Sequence, residues 1–360
     1  MSASLTGTGH ALPPPMGQQH LWDGFFKDHY DDARLARTVW RNSAITTRRG
    51  VVDPVREDIS SWGTGARMRR FLEEAMPLGK EAVAAALADA GLAPADVGQF
   101  TVVSCTGYAT PGLDVLLARD LGMRDSVQRL HVGHMGCYAA LPGLAATADF
   151  VAARGRPAVM LCLELTSLHV QPSTDSARSG SPTPEDLQQM VAHALFSDAA
   201  AAVVLQPDSP GLEVVDVVAR TDASTADHMT WDVTDLGFRM GLSPAVPDVL
   251  ARHVRPVVEE LLGRHGIAVD DVSGWAVHPG GRRIVEVVGE ALDLSEQDLA
   301  PSYAVLDEVG NCSSATVLLV LERLLAPSPG VREVPDGGTV VAMAFGPGLT
   351  LYAALLRRRA

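Results

Sequence analysis

Three segments far apart in the chain hold a thiol, an imidazole and a carboxamide, in that order: Gly136-Cys137-Tyr138, Val277-His278-Pro279-Gly280-Gly281 and Gly310-Asn311-Cys312-Ser313-Ser314. Together these groups can carry an acyl chain as a thioester and then build a carbon–carbon bond onto it. The thiol is the nucleophile, and the other two groups can stabilise the oxyanion or enolate that forms. Each segment alone has a plainer reading: a buried structural cysteine, a hydrogen-bonded core histidine, an asparagine N-cap. Pro279-Gly280-Gly281 clears side chains from the approach to His278, as a thioester cofactor requires. The apolar run Leu130-His131-Val132 before Cys137 and the alanine-rich stretch after it put the sulfur at a strand-to-helix junction. Unpaired backbone N–H groups and the helix dipole there favour thiolate over thiol, and a neighbouring imidazole adds to this by pairing with the anion.

The elements that must position these groups follow from hydrophobic patterning. Apolar β-branched runs alternate with Ala/Leu-rich stretches, which predicts a layered α/β fold. Strands are expected over 101–104, 158–163 and 200–205, and helices over 80–90, 113–121 and 138–154. Beyond Pro207 the order starts again: strand 212–219, helix 246–265, strand 275–278, helices 283–292 and 314–325, strand 339–344. The repeated order predicts a fused duplication, with the thiol in a half spanning 1–207 and the imidazole and amide in a half spanning 208–360. The first 75 residues mix aromatic residues with arginines and are expected to form a lid or cap. Residues 171–185, rich in Ser, Pro and Thr, read as a surface loop.

Composition narrows the class. A formal net charge of −14 over 360 residues argues against nucleic acid as a partner. Lys27 and Lys80 are the only lysines, so any phosphate has to be held by arginine. No apolar run reaches the ~18 residues that span a bilayer, and no basic stretch followed by an apolar one opens the chain. A cytoplasmic protein is expected. Cys105, Cys137, Cys162 and Cys312 are far apart, without the paired spacing of zinc or thioredoxin-like sites, so free thiols in a reducing compartment are expected. Cys162 reads as a core residue, and Cys105 and Cys312 as core residues near the pocket.

With these residues in view, the chain resembles the type III polyketide synthases, the chalcone synthase-like branch of the thiolase superfamily. The resemblance is carried by Gly136-Cys137, Leu195-Phe196-Ser197-Asp198-Ala199-Ala200-Ala201, His278-Pro279-Gly280-Gly281, Gly310-Asn311-Cys312-Ser313-Ser314 and Phe345-Gly346-Pro347-Gly348-Leu349-Thr350, and runs from about residue 100 to the C-terminus. It implies a duplicated thiolase-like αβαβα layered fold. It also implies that Cys137 takes a starter acyl group, that His278 holds the thiol as thiolate, and that His278 and Asn311 polarise the thioester carbonyl of malonyl-CoA as carbon dioxide leaves. No metal or redox cofactor is implied, the substrates being CoA thioesters. The product is expected to be a small pyrone or resorcinol built on an aliphatic acyl starter delivered by CoA or by acyl-carrier protein. A single-step ketoacyl synthase or hydroxymethylglutaryl-type synthase of the same superfamily is the alternative. A non-catalytic partner subunit is a third reading, although such subunits usually lose the nucleophile.

By position, the resemblance arranges Phe196, Met240, Trp231, His169, Cys105, Ser313, Gly346 and Pro347 around the substrate pocket. Met240 stands for the second gatekeeping phenylalanine, and Trp231 for a glycine of the cyclisation cavity in plant enzymes. Bulk at positions 169 and 231 implies a small cavity and few extension steps. Thr110 stands where plant enzymes push a methionine into the partner's cavity, which implies a homodimer with that contact reduced. For CoA, Arg34, Arg37 and Arg41 recur on one helical face, and Gly280, Gly281, Arg282 and Arg283 follow His278 directly.

Overall fold

Nine runs of the chain become strands of one mixed sheet: β1 (Ala3–Ala11), β2 (Gln99–Ser104), β3 (Gln128–Gly133), β4 (Ala158–Leu165), β5 (Asp198–Pro207), β6 (Gly211–Thr221), β7 (Gly274–Val277), β8 (Thr339–Gly346) and β9 (Thr350–Arg359). The structure is a computed structural model that describes residues 1–326 and 333–360. The strand order is β7-β8-β9-β6-β1-β5-β4-β2-β3. The opening strand of each sequence half lies at the centre, where β1 and β6 meet antiparallel through Ser4–Glu213 and Leu5–Leu212. Parallel pairing is kept to the outer strands: β2 with β3 and β4, and β7 with β8. Every residue of β4 and of β8 is buried, as strands covered on both faces must be.

The helices that matter to the site are α1 (Arg34–Arg41), α2 (Thr64–Asp89), α3 (Leu113–Leu121), α4 (Ala140–Arg154), α5 (Pro184–Leu195), α6 (Val246–Gly263), α7 (Arg282–Leu292), α8 (Ala300–Val309) and α9 (Ala315–Leu325). Helices α4 and α9 form a middle layer, and their core gathers Val103, Met160 and Leu205 from one half of the sheet and Ala276, Val340 and Leu356 from the other. Helices α2 and α3 cover the outside of the first half, with Val83 and Leu117 packed among Val102 and Leu161. Helices α6 and α7 cover the second, with Val258 and Val288 packed among Trp275 and Leu355. Two half-sheets around a helical layer, each with helices outside, make the five layers of a thiolase-like αβαβα fold.

The N-terminal stretch is more than a cap. Its first strand, β1, is the centre of the sheet. Gly7 and Gly9 explain both the position and why the sequence hides it. A Cβ at Gly7 would stand 2.5 Å from the Ala86 carbonyl oxygen, and one at Gly9 2.4 Å from the Ala86 nitrogen. The glycines let α2 lie directly on the strand, and they remove the apolar alternation that marks one. The cap itself follows, with Leu21, Phe26, Tyr30 and Trp40 packed against Met190 and Ala194 of α5. Residues 171–185 are likewise not all loop. They include a short helix, Asp175–Arg178, and reach α5, which Thr183 and Asp186 open by bonding each other's backbone N–H. Strand β9, helix α8 and the hairpin Met229–Thr234/Gly237–Leu242 are further elements beyond those expected.

Candidate active site

After β3 the chain turns through His134 (φ 60°) and Gly136 (φ 78°) before α4 opens at Ala140. A Cβ on Gly136 would stand 2.6 Å from Pro347 Cδ, and one on Gly346 3.2 Å from the Cys137 nitrogen. These two glycines let the turn after β8 press against the segment that carries the thiol. His278 follows β7, and its N–H donates to the Met343 carbonyl of neighbouring β8 at 2.8 Å. Asn311 sits between α8 and α9, its backbone clamped to the end of α5. Its N–H donates to Leu195 O at 3.0 Å, and its carbonyl accepts from Ser197 N–H at 2.9 Å. The side-chain oxygen accepts from Ser313 N–H at 2.9 Å while Nδ2 donates to Gly280 O at 3.2 Å, which fixes the amide plane.

Cys137, His278 and Asn311 line one cavity of ≈ 320 Å³, together with Phe196, Met240 and Phe345. His278 is only 1% exposed, and neither ring nitrogen has a hydrogen-bond partner among the described residues. Burial lowers its pKa to about 3, so the imidazole is neutral. Burial pushes the Cys137 thiol up to about 12, against the opposing pull of the Ser313 hydroxyl. Burial thus opposes the thiolate that the junction favours. Cys137 precedes α4 by three residues in a fully enclosed site, where desolvation outweighs the helix terminus, and no hydrogen bond joins the His278 ring to the sulfur. Thiol and imidazole both face the same cavity, and burial favours the neutral form of each.

Two smaller chambers continue from this cavity, sharing Phe196 and Met240 with it. One of ≈ 20 Å³ is walled by Cys137, Cys105, Ser313, Pro347 and Trp231. The other, of ≈ 50 Å³, is walled by His169, Trp231 and Phe238. The Trp231 indole N–H donates to the Cys105 carbonyl at 2.8 Å, which fixes the ring between them. His169 Nδ1 accepts from Phe238 N–H at 3.0 Å, so the proton sits on Nε2 and is donated to Thr106 O at 2.7 Å. Burial holds this ring neutral, with its pKa lowered to about 4.

Gly280, Gly281, Arg282 and Arg283 lie along the large cavity. Both arginines are exposed, Arg282 pairing with Glu286 at 2.9 Å and Arg283 with Glu290 at 2.7 Å. Arg34, Arg37 and Arg41 do not reach it. They occupy the exposed face of α1, Arg37 pairs with Asp32, and the helix contributes Val39 to the cavity instead. Thr110 is also elsewhere, in a separate cleft of ≈ 250 Å³ with Phe71, Tyr108 and His131. Cys162 and Cys312 are wholly buried.

Two groups of polar residues at the site escape sequence reasoning. Glu164, fully buried in β4, accepts from Cys105 N–H at 3.0 Å and from the hydroxyls of Thr106 and Ser314 at 2.8 and 2.6 Å; burial raises its pKa. An acid inside an otherwise apolar strand is the signal that could have found it. Arg48, Arg49 and His193 line the ≈ 50 Å³ chamber and had no such signal, being three polar residues among many.

Models of the chalcone and stilbene synthase family match most of the chain, the N-terminal domain over residues 54–209 and the C-terminal domain over residues 215–359. The α-pyrone synthesis polyketide synthase-like Pks18 of Mycobacterium tuberculosis is 32% identical over 343 residues, covering 92% of this chain and 84% of the relative. The 1,3,6,8-tetrahydroxynaphthalene synthase of Streptomyces peucetius subsp. caesius is 35% identical over 336 residues, covering 91% and 84%. Among solved structures, the 1,3,6,8-tetrahydroxynaphthalene synthase of Streptomyces coelicolor A3(2) superposes with a TM-score of 0.90 at 25% identity, covering 99% of each chain.

Proposed function

The chain belongs to the chalcone and stilbene synthase family and is a type III polyketide synthase, and on that premise we propose that Cys137, His278 and Asn311 carry its chemistry. Such an enzyme condenses malonyl-CoA units onto an acyl thioester and needs no cofactor beyond these CoA substrates. The single-step synthases of the superfamily are not what the relatives resemble.

In the first step the Cys137 sulfur attacks the carbonyl of the starter thioester as its proton passes to His278. The tetrahedral oxyanion collapses, and CoA leaves as a thiol with that proton. Malonyl-CoA then binds with its thioester oxygen facing the N–H of neutral His278 and an N–H of the Asn311 amide. Carbon dioxide departs, and its bonding electrons become an enolate held by those two donors. The enolate carbon attacks the Cys137 thioester. A carbon–carbon bond forms, the carbon–sulfur bond breaks, and the lengthened chain on CoA returns to the sulfur or cyclises.

The observation that supports this reading is the convergence of the three groups on one ≈ 320 Å³ cavity, with both His278 nitrogens unpartnered and the Asn311 amide held on two sides. The small side chambers favour few extensions and a small pyrone or resorcinol. Arg282 and Arg283 are the candidates for the CoA phosphates. The functional unit is proposed to be a cytoplasmic homodimer of two-part chains, 1–207 and 208–360, that accepts starters from CoA or from acyl-carrier protein. Among the described residues no helix is long and apolar enough to cross a membrane. Cys137→Ala tests the mechanism: condensation should vanish while slow release of carbon dioxide from malonyl-CoA persists. A variant that still elongated a starter would sink it.

A further inference from the structure

We infer that the chamber behind Phe196 and Trp231 receives the carboxylate end of a short acyl group, so that the starter is the half-thioester of a dicarboxylic acid. This deepens the proposed function and rests on Cys137 as the acyl acceptor.

Arg48 carries the argument. It is 6% exposed, yet no carboxylate lies within ion-pair distance among the described residues. Its guanidinium is held by the backbone carbonyls of His193 and Phe196 and by the rings of Phe26 and Trp40, each 5.8 Å from its carbon. Burial lowers its pKa to about 10, which still leaves it a cation at neutral pH. Its Nε has no partner. Arg49, on the same wall, has an unpartnered Nε too, and its one side-chain bond is a long one to Pro13 O at 3.5 Å. His193 bonds the Tyr30 hydroxyl through Nδ1 at 2.7 Å and leaves Nε2 without a partner. Asp198 supports the Arg48 cation through space without contacting it, its oxygens being taken by the N–H groups of Val51 and Ser167 and by the hydroxyls of Ser167 and Thr166.

Buried charges in proteins are paired, and buried donors are bonded. A chamber walled in part by Met16, Leu21 and Phe238 that keeps a guanidinium with no acid in ion-pair contact has room for one anion. This chamber adjoins the one beside Cys137, since Thr166, Phe196, Trp231 and Met240 wall both, and an acyl group on the sulfur would enter between those side chains. Size sets the length of the guest. A small group fills about 10–15 Å³ of such space, so chambers of ≈ 20 and ≈ 50 Å³ together take five or six non-hydrogen atoms. A glutaryl group on Cys137 projects three methylenes and a carboxylate beyond its carbonyl, which fits.

The test compares glutaryl-CoA with 5-methylhexanoyl-CoA, which has the same number of non-hydrogen atoms and a neutral branched end. Acylation of Cys137 is followed by intact-protein mass spectrometry, and kcat/KM for condensation with malonyl-CoA is measured for each starter. The wild-type enzyme should favour glutaryl by about tenfold or more, the weight of one charge-assisted hydrogen bond. Arg49→Gln should cut that ratio several-fold, and the ratio cancels any loss shared by both starters. Arg48 also holds two backbone carbonyls, so Arg48→Met is a less clean variant, and the wild-type ratio decides without it. Equal acylation by both thioesters, or preference for the branched chain, overturns this inference alone. Acylation of Cys137 by neither overturns the assignment of the sulfur and this inference with it.

Discussion

Replacing Trp231 by glycine tests how the cavity limits chain length. The indole borders both the ≈ 20 Å³ chamber beside Cys137 and the adjoining ≈ 50 Å³ chamber, and its ring meets His169, Phe238 and Phe196 at centroid distances of 5.5, 5.9 and 6.5 Å. Trp231→Gly removes roughly ten non-hydrogen atoms from the wall shared by the two chambers, opening on the order of 100 Å³ at about 10–15 Å³ per small group. Each two-carbon extension adds about three non-hydrogen atoms, so the space suits two or three more rounds. Loss of the bond to Cys105 O and of partly buried ring surface should cost about 2–3 kcal/mol, toward the low end for a large-to-small change because the residue is half-buried. The assay is mass analysis of products from malonyl-CoA with one fixed acyl-CoA starter. Products should grow by two or three acetate units. An unchanged product profile from a folded, active variant would refute the idea that Trp231 sets the length.

Other consequences follow from the same geometry. Because burial pushes the Cys137 thiol up to about 12, its alkylation by iodoacetamide in the substrate-free enzyme should rise about tenfold per pH unit from 7 to 9; a flat rate would reveal a preformed thiolate–imidazolium pair instead. Gly136→Ala combines a φ of 78° with a Cβ 2.6 Å from Pro347 Cδ, so thermal unfolding should report a loss of at least about 1–2 kcal/mol, and an unshifted melting curve would contradict the packing described. Arg283→Ala should raise KM for malonyl-CoA a few-fold with kcat little changed, and the gap from wild type should narrow as salt is added. A KM that did not move would take Arg283 out of the CoA site.

What could be read from the chain beforehand depended on whether local pattern or tertiary approach decided each feature. Helix Leu113–Leu121 has the bounds its pattern predicts, and β4 and β8 announce themselves as largely apolar runs, Glu164 being the one acid within β4. Strand β1 could not, because Gly7 and Gly9 answer to the backbone of α2 across the layer, a neighbour about 80 residues away. Trp231 and Met240 were visible as bulk, and their hairpin was legible too: Met229, Trp231 and Val233 alternate with polar residues and pair with Leu242, Met240 and Phe238, an apolar face not counted among the expected elements. The burial that opposes a Cys137 thiolate was hidden for a reason related to that of β1. A junction and a helix terminus can be seen locally, whereas complete enclosure by Pro347, Phe196 and Ser313 is a property of the folded chain. The exposed arginines of α1 share one face as their spacing requires, but spacing says nothing of which way that face turns.

The most direct measurement is to expose the wild-type protein to an acyl-CoA without malonyl-CoA, digest it, and find the acyl group by mass spectrometry. The mechanism predicts a thioester on Cys137 alone, lost on treatment with hydroxylamine. An acyl group on Cys105, Cys162 or Cys312, or on no cysteine at all, would contradict it.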